Sequence, residues 1–282
     1  MIIQRRPERV VLKSTSELDT MRHTARLAAQ CLEMLARAVR PGMKTLELDA
    51  LHLDFARRHG ATPAPPLEGF PRSVCTSVNE VVCHGIPGPR VLRAGDIVCI
   101  DVSFSIDGFF ADNATTVAVG EVDARAAALM RHSLEALRRG VDAVAPGRRT
   151  GDLAHAVQSY AESHGYGVVH EFGAHGIGRR LHEPPQILHV GVPGRGVRLR
   201  PGMTFTLEPM LNVGSGEVDV LDDGWTVVSR DGSWSAQYEH TLAVTDQGVE
   251  VLTVQNEDGA WEPPGRCAPP AAPEGSTPTR GE

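Results

Sequence analysis

The chain has 282 residues, 41% of them hydrophobic, enough to bury a sizeable core, and its five cysteines are odd in number without a CxxC pair, which excludes a disulfide framework and a zinc ribbon. A net charge of −7 with no basic stripe excludes attachment to DNA or RNA through phosphate contacts. No run approaches the ~20 apolar residues of a membrane span, and no apolar segment follows the basic N-terminus as in a secretory signal, so a cytoplasmic protein in a reducing compartment is expected.

Residues 1–13 read as an N-terminal extension whose Arg5, Arg6, Arg9 and Lys13 form a solvated basic tail, with transient ribosome docking as the other use of those charges. A first helix is expected after Ser16, where Leu18, Met21, Ala25, Ala28, Leu32, Leu35 and Val39 recur at three- and four-residue spacing and make an apolar stripe. "PGMKTLELDALHLDFARRHG" from Pro41 then opens a second helix with Thr45 in the N-cap position. Further on, "VCIDVSFSIDGFFADNATTVAV" (98–119) alternates apolar residues around Asp107-Gly108, a two-residue hairpin signal. A third helix is expected from about Asp123 to Val144, and "PGRRTGDLAHAVQSYAESHGY" from Pro146 repeats the Pro41 segment at an offset of 105, with Thr150 matching Thr45. "RAGDIVCIDVSF" from Arg93 and "RPGMTFTLEPML" from Arg200 align at an offset of 107, setting Asp101 against Glu208. The chain therefore reads as α+β, with two related halves (about 14–120 and 121–258) around one core, since no Pro/Gly/Ser linker parts them; chance similarity is the competing explanation. Residues 259–282 form a Pro/Gly-rich tail expected to be disordered.

Two aspartates inside a strand-like apolar run need an explanation. If Ile106 faces Phe109, Asp112 lies opposite Ser103, and therefore on the same sheet face as Asp101. Converging carboxylates beside an apolar strand are costly without a cation between them, which suggests one or two divalent metal ions; a solvated sheet face without function is equally open from the hairpin alone. Glu208 in "MTFTLEP", Glu239 in "SAQYEHTLAV" and His175 among the glycines of "GAHGIG" add two acids in expected strand interiors and an imidazole. Such a set suits two ions of Mn, Fe, Co or Zn, and two ions sharing a water point to hydrolysis.

"SVNEVVCHGIP" (77–87), "GDIVCIDVSF" (95–104), "HGIGRRLHEPPQILH" (175–189), "PGMTFTLEPML" (201–211) and "DGWTVVSRDGSWSAQYEHTLAVT" (223–245) together resemble the methionine aminopeptidases of the type I, bacterial form, over about residues 12 to 255. The resemblance implies a pita-bread fold, two pseudo-symmetric halves whose curved antiparallel sheet is covered by helices. It implies a monomer that removes the initiator methionine of nascent polypeptides, preferably before a small second residue. Asp101, Asp112, His175, Glu208 and Glu239 would hold two divalent ions. A hydroxide shared by those ions would attack the methionine carbonyl, Glu208 would move its proton to the leaving amine, and His84 and His182 would stabilise the intermediate. Phe70, Cys75 and Trp225, with Leu67 and Leu181 nearby, would take the methionine side chain; Leu67, Phe70 and Leu181 replace hydroxyl- or ring-bearing residues common in the family. The rival enzyme reading is an X-Pro aminopeptidase or prolidase of the same fold, and the rival from another class is an inactive pita-bread module that only binds peptides.

Overall fold

The computed structural model describes residues 9–254; Arg5, Arg6, Cys267 and the expected tail lie outside them. Helix α1 spans Thr15–Ala38 and begins before the expected position, because Ser14 rather than Ser16 caps it. The Ser14 hydroxyl accepts from Glu17 N, while Glu17 Oε2 accepts from Ser14 N at 2.9 Å, so two otherwise orphaned donors are satisfied reciprocally. The predicted stripe faces inward, with Met21, Ala25, Ala28, Leu32 and Leu35 buried.

α2 (Thr45–His59), α3 (Ala124–Asp142) and α4 (Thr150–Ser163) follow. Thr45 and Thr150 are not the caps. Lys44 and Arg149 hold that position, and their backbone N–H groups donate to Glu47 (2.7 Å) and Asp152 (2.8 Å). The threonine hydroxyls instead fasten loops, accepting from Gly88 N at 2.9 Å and Val197 N at 3.1 Å. Lys44 and Arg149 each also bridge to an antiparallel segment, at Val91 and Arg198, so the sequence repeat corresponds to a repeated structural corner.

Ile97–Ile106 and Phe109–Ala118 pair antiparallel along their full length, with Ile106 opposite Phe109 and Ser103 opposite Asp112. Asp107 and Gly108 both have positive φ (52° and 76°), as a type I′ turn requires. Val98, Ile100, Val102 and Phe104 enter the core with α1, leaving Asp101 and Ser103 to the opposite face. In the second half, Thr204–Leu207 starts where the 107-residue offset places it, but the strand breaks at Glu208-Pro209 before resuming as Met210–Asn212. Its partner breaks opposite, between Ser235–Gln237 and His240–Val244. The register passes from Leu207↔His240 to Met210↔Gln237, so Glu208 and Glu239 stand across from each other in the interrupted rung, not inside continuous strands as expected.

The halves join along Phe109–Ala118. Glu239 N donates to Ala114 O at 2.9 Å, and the Thr241 hydroxyl both accepts from Asp112 N (3.0 Å) and donates to Asp112 O (2.8 Å). Residues 9–13 are not a free extension: Lys13 N donates to Gly202 O at 2.7 Å, and the Lys13 side chain is buried rather than part of a solvated tail. No helix among the described residues is long and apolar enough to cross a membrane.

Among the differences between the two corners, Leu46 of the first is matched by Gly151 of the second. Gly151 in α4 would, with a Cβ, lie 2.3 Å from Val192 O and 2.9 Å from Arg195 O. Helix propensity alone makes Gly→Ala stabilising by ~1 kcal/mol. The backbone contact reverses that expectation, and Gly151→Ala should instead cost on the order of 1–3 kcal/mol. A denaturant midpoint at or above that of the parent would contradict this.

Candidate metal centre

The acids of the hairpin and of the interrupted rung converge from opposite sides. Asp112, His175 and Glu239 each offer a ligand atom, and these atoms lie within 4.8 Å of one another. His175 Nε2 is 3.9 Å from Asp112 Oδ2 and 3.8 Å from Glu208 Oε1. Its Nδ1 lies 3.0 Å from the Gly176 carbonyl; a proton donated there leaves the Nε2 lone pair turned to the carboxyl groups, the tautomer a metal needs. Gly176 itself is packed so closely that a Cβ would lie 2.3 Å from Pro184 O, which holds the His175 strand against its neighbour. Asp101, on the same hairpin face as Asp112, lines the same cleft beside them.

Support comes from residues that sequence reasoning passed over. The Thr206 hydroxyl donates to Glu208 Oε1 at 2.7 Å, Gln237 Nε2 approaches Glu208 Oε2 at 3.4 Å, and Glu208 N donates to His189 Nε2 at 3.2 Å. Thr206 shares a strand face with Glu208 and could have been read from the alternation; the lone His189 in "ILHV" gave no such signal.

Burial dominates the electrostatics. It raises the Asp101 carboxyl to about 6 and the Glu208 carboxyl to about 8, and lifts Asp112 and Glu239 well above the usual range, with repulsion among the four acids adding to the last three. Burial also lowers His175 to about 3, helped by the nearby His182. Asp112 Oδ1 and Glu239 Oε1 are buried without a hydrogen-bond partner. Hard carboxylate oxygens left unsatisfied beside a bare imidazole nitrogen fit a divalent cation.

The centre floors a cleft of about 650 Å³. Phe70 and Trp225 meet edge-to-face at 5.3 Å and, with Cys75 and Leu181, form an apolar wall. His84 lies between Trp225 and Phe172, with its backbone at φ 53°, a costly conformation for a residue with a Cβ. His182, more exposed, packs its ring 4.3 Å from that of His175. Leu67 does not join them: the turn Pro65–Glu68 leaves it 59% exposed, and only Pro65 and Glu68 of that turn reach the cleft.

A model of metallopeptidase family M24 matches residues 19–246. Methionine aminopeptidase A of Synechocystis sp. is 49% identical over 247 residues, covering 87% of this chain and 98% of that protein. The crystal structure of methionine aminopeptidase from Rickettsia prowazekii superposes with a TM-score of 0.86 at 42% identity, covering 87% of this chain and 100% of that one. An Xaa-Pro dipeptidase from Bacillus anthracis gives a TM-score of 0.71 at 25% identity, covering 86% of this chain but 61% of that one.

The raised carboxyls set a pH dependence for protein stripped of ions by chelation. Burial lowers His175, His189 and His240 to about 3 and His52 to about 4, and an unfolded histidine has lost about nine-tenths of its protons by pH 7.5, so above that pH these histidines contribute little. Glu208, Asp112 and Glu239 keep protons in the fold that the unfolded chain has already released. The unfolded state therefore binds fewer protons, and stability should fall from pH 7.5 to 9, by on the order of 1–3 kcal/mol per pH unit. Thermal denaturation in chelator should show this fall, and saturating Mn or Co should remove it; a Tm that rises through this window in chelator would contradict the assignment.

Proposed function

The chain belongs to metallopeptidase family M24, with its pita-bread fold, and on that premise we propose that it removes N-terminal methionine from polypeptides in the cytoplasm with two bound divalent ions. The observation that carries the metal chemistry is the convergence of Asp112, His175 and Glu239, with buried unpartnered oxygens, on the floor of an apolar cleft. Near-complete coverage of a methionine aminopeptidase at 49% identity favours methionine over the X-Pro reading, for which the relative is 25% identical and matched over 61% of its length.

Asp101, Asp112, His175, Glu208 and Glu239 would hold the ions, which when bound lower the pKa of a water and polarise a carbonyl. The remaining steps belong to this chain's side chains. Phe70, Trp225, Cys75 and Leu181 take the unbranched thioether and exclude water from it. Glu208, steadied by Thr206, accepts the proton of the attacking water and returns it to the leaving amine. His182 donates a hydrogen bond to the methionine carbonyl as negative charge gathers on its oxygen, and His84 holds the scissile amide. His84 is well suited to this: Gly85, which could not carry a Cβ without coming 2.2 Å from Thr76 O, locks the loop that turns the imidazole into the cleft.

The assay is release of free methionine from Met-Gly-Met-Met, against Gly-Pro peptides, by stripped protein reloaded separately with Co, Mn, Fe and Zn. Metal-dependent release from the first substrate alone is expected. Release from Gly-Pro instead would replace the methionine reading with the X-Pro one. His84→Ala and His182→Ala should each lower turnover on the order of 10²–10⁴-fold while metal content, measured by elemental analysis, stays unchanged; near-full activity in either variant removes the role assigned to that histidine.

A further inference from the structure

Lys13 lies outside the cleft, yet it is tied to the loop that carries His182. Its Nζ donates to Glu183 Oε2 at 2.6 Å and to Val11 O at 3.3 Å, and both side chains of the ion pair are buried, 3% and 7% exposed. Glu183 Oε1 in turn accepts from Arg179 N (2.8 Å) and Arg180 N (3.1 Å), so the loop 178–183 is folded around this one carboxylate. Gly178 makes room for the lysine: a Cβ there would lie 2.2 Å from Lys13 Cε. Arg179 reaches back to Glu17 of the α1 capping box at 3.1 Å and covers the Phe109 ring at 4.3 Å. The segment from Lys13 to Glu17 thus clasps the loop at two points, buried at Glu183 and exposed at Arg179.

From this geometry we infer that Lys13 is a positioning residue for the reaction, a strap whose buried ammonium holds Glu183 and thereby sets His182 at the mouth of the cleft. The inference rests on the role proposed above for His182. Without the ammonium, Glu183 is a buried carboxylate with no counter-ion, and its lowest-energy response is to turn toward water. That movement would release Arg179 N and Arg180 N together and displace the adjacent His182. Catalytic placement is sensitive to such shifts, whereas in the apolar slot only Leu181 lies on this loop, Phe70, Cys75 and Trp225 standing on other segments.

Lys13→Met keeps the stem and removes the charge. In the full-length protein, amide exchange followed by mass spectrometry should accelerate in residues 178–184, with or without metal, while the Phe109–Ala118 strand keeps its protection. Turnover on Met-Gly-Met-Met should fall on the order of 10–100-fold, with a smaller rise in KM through Leu181 and with metal content little changed. Lys13→Arg should recover most of both properties. In a His182→Ala background, Lys13→Met should cost no further turnover, since the group it positions is gone. Should Lys13→Met fail to fold, Lys13→Met with Glu183→Ala, which leaves no unpaired charge and removes the acceptor of both loop N–H groups, carries the same test. Unchanged exchange in the loop, or a full additional loss in the His182→Ala background, would overturn the strap. Full activity of His182→Ala itself would instead remove the proposed role of that histidine, a failure read separately from the exchange result.

Discussion

Four carboxyl groups buried against one another between two strand pairs cannot all ionise unless a cation lies among them, and much of the molecule serves to bring them there. The hairpin supplies Asp101 and Asp112 on its inner face because its other face is occupied by the apolar stripe of α1. The second half supplies Glu208 and Glu239 from a rung in which the ladder is broken on both strands. Pro209 lacks an N–H to donate, so the break leaves fewer unsatisfied donors than an ordinary interruption would. His175, fixed by a backbone carbonyl and by glycines that admit close neighbours, adds the one nitrogen.

The joint between the halves is also the floor of the cleft. Asp112 turns its side chain into the candidate centre while its backbone N–H and C=O are both taken by the Thr241 hydroxyl, and Glu239 is anchored by a hydrogen bond to Ala114. Each of these acids is therefore held by the opposite half. Positioning of this kind, by hydrogen bonds to a strand of the opposite half, is more exact than a free loop could provide.

The parts visible in the sequence were those set by local rules. The hairpin register followed from two adjacent residues suited to positive φ, and the α1 stripe from its spacing. The repeat found at Thr45 and Thr150 marked a true structural correspondence, yet it misplaced the caps by one residue, because the capping groups are Glu47 and Asp152 reaching backwards rather than the threonine hydroxyls. What stayed hidden depended on distant partners. Lys13 belongs by composition to a basic tail and is buried only because Glu183 waits on another element. Leu67 is apolar and close in sequence to Phe70, but a short turn ending at left-handed Gly69 points the two residues to different surroundings. The strand around Glu208 looked continuous because alternation persists on both sides of the break.

The order of the ligands along the chain has a consequence for biosynthesis. Asp101 and Asp112 emerge early, His175 and Glu208 later, and Glu239 only near the end of the described residues. Because Asp112 and Glu239 are each held by the opposite half, a partly translated chain presents two aspartates on a hairpin without its partners. Contacts of such long sequence separation form late and slowly. In a partly translated chain the candidate centre is therefore incomplete, and it can assemble only once the segment carrying Glu239 has joined the hairpin.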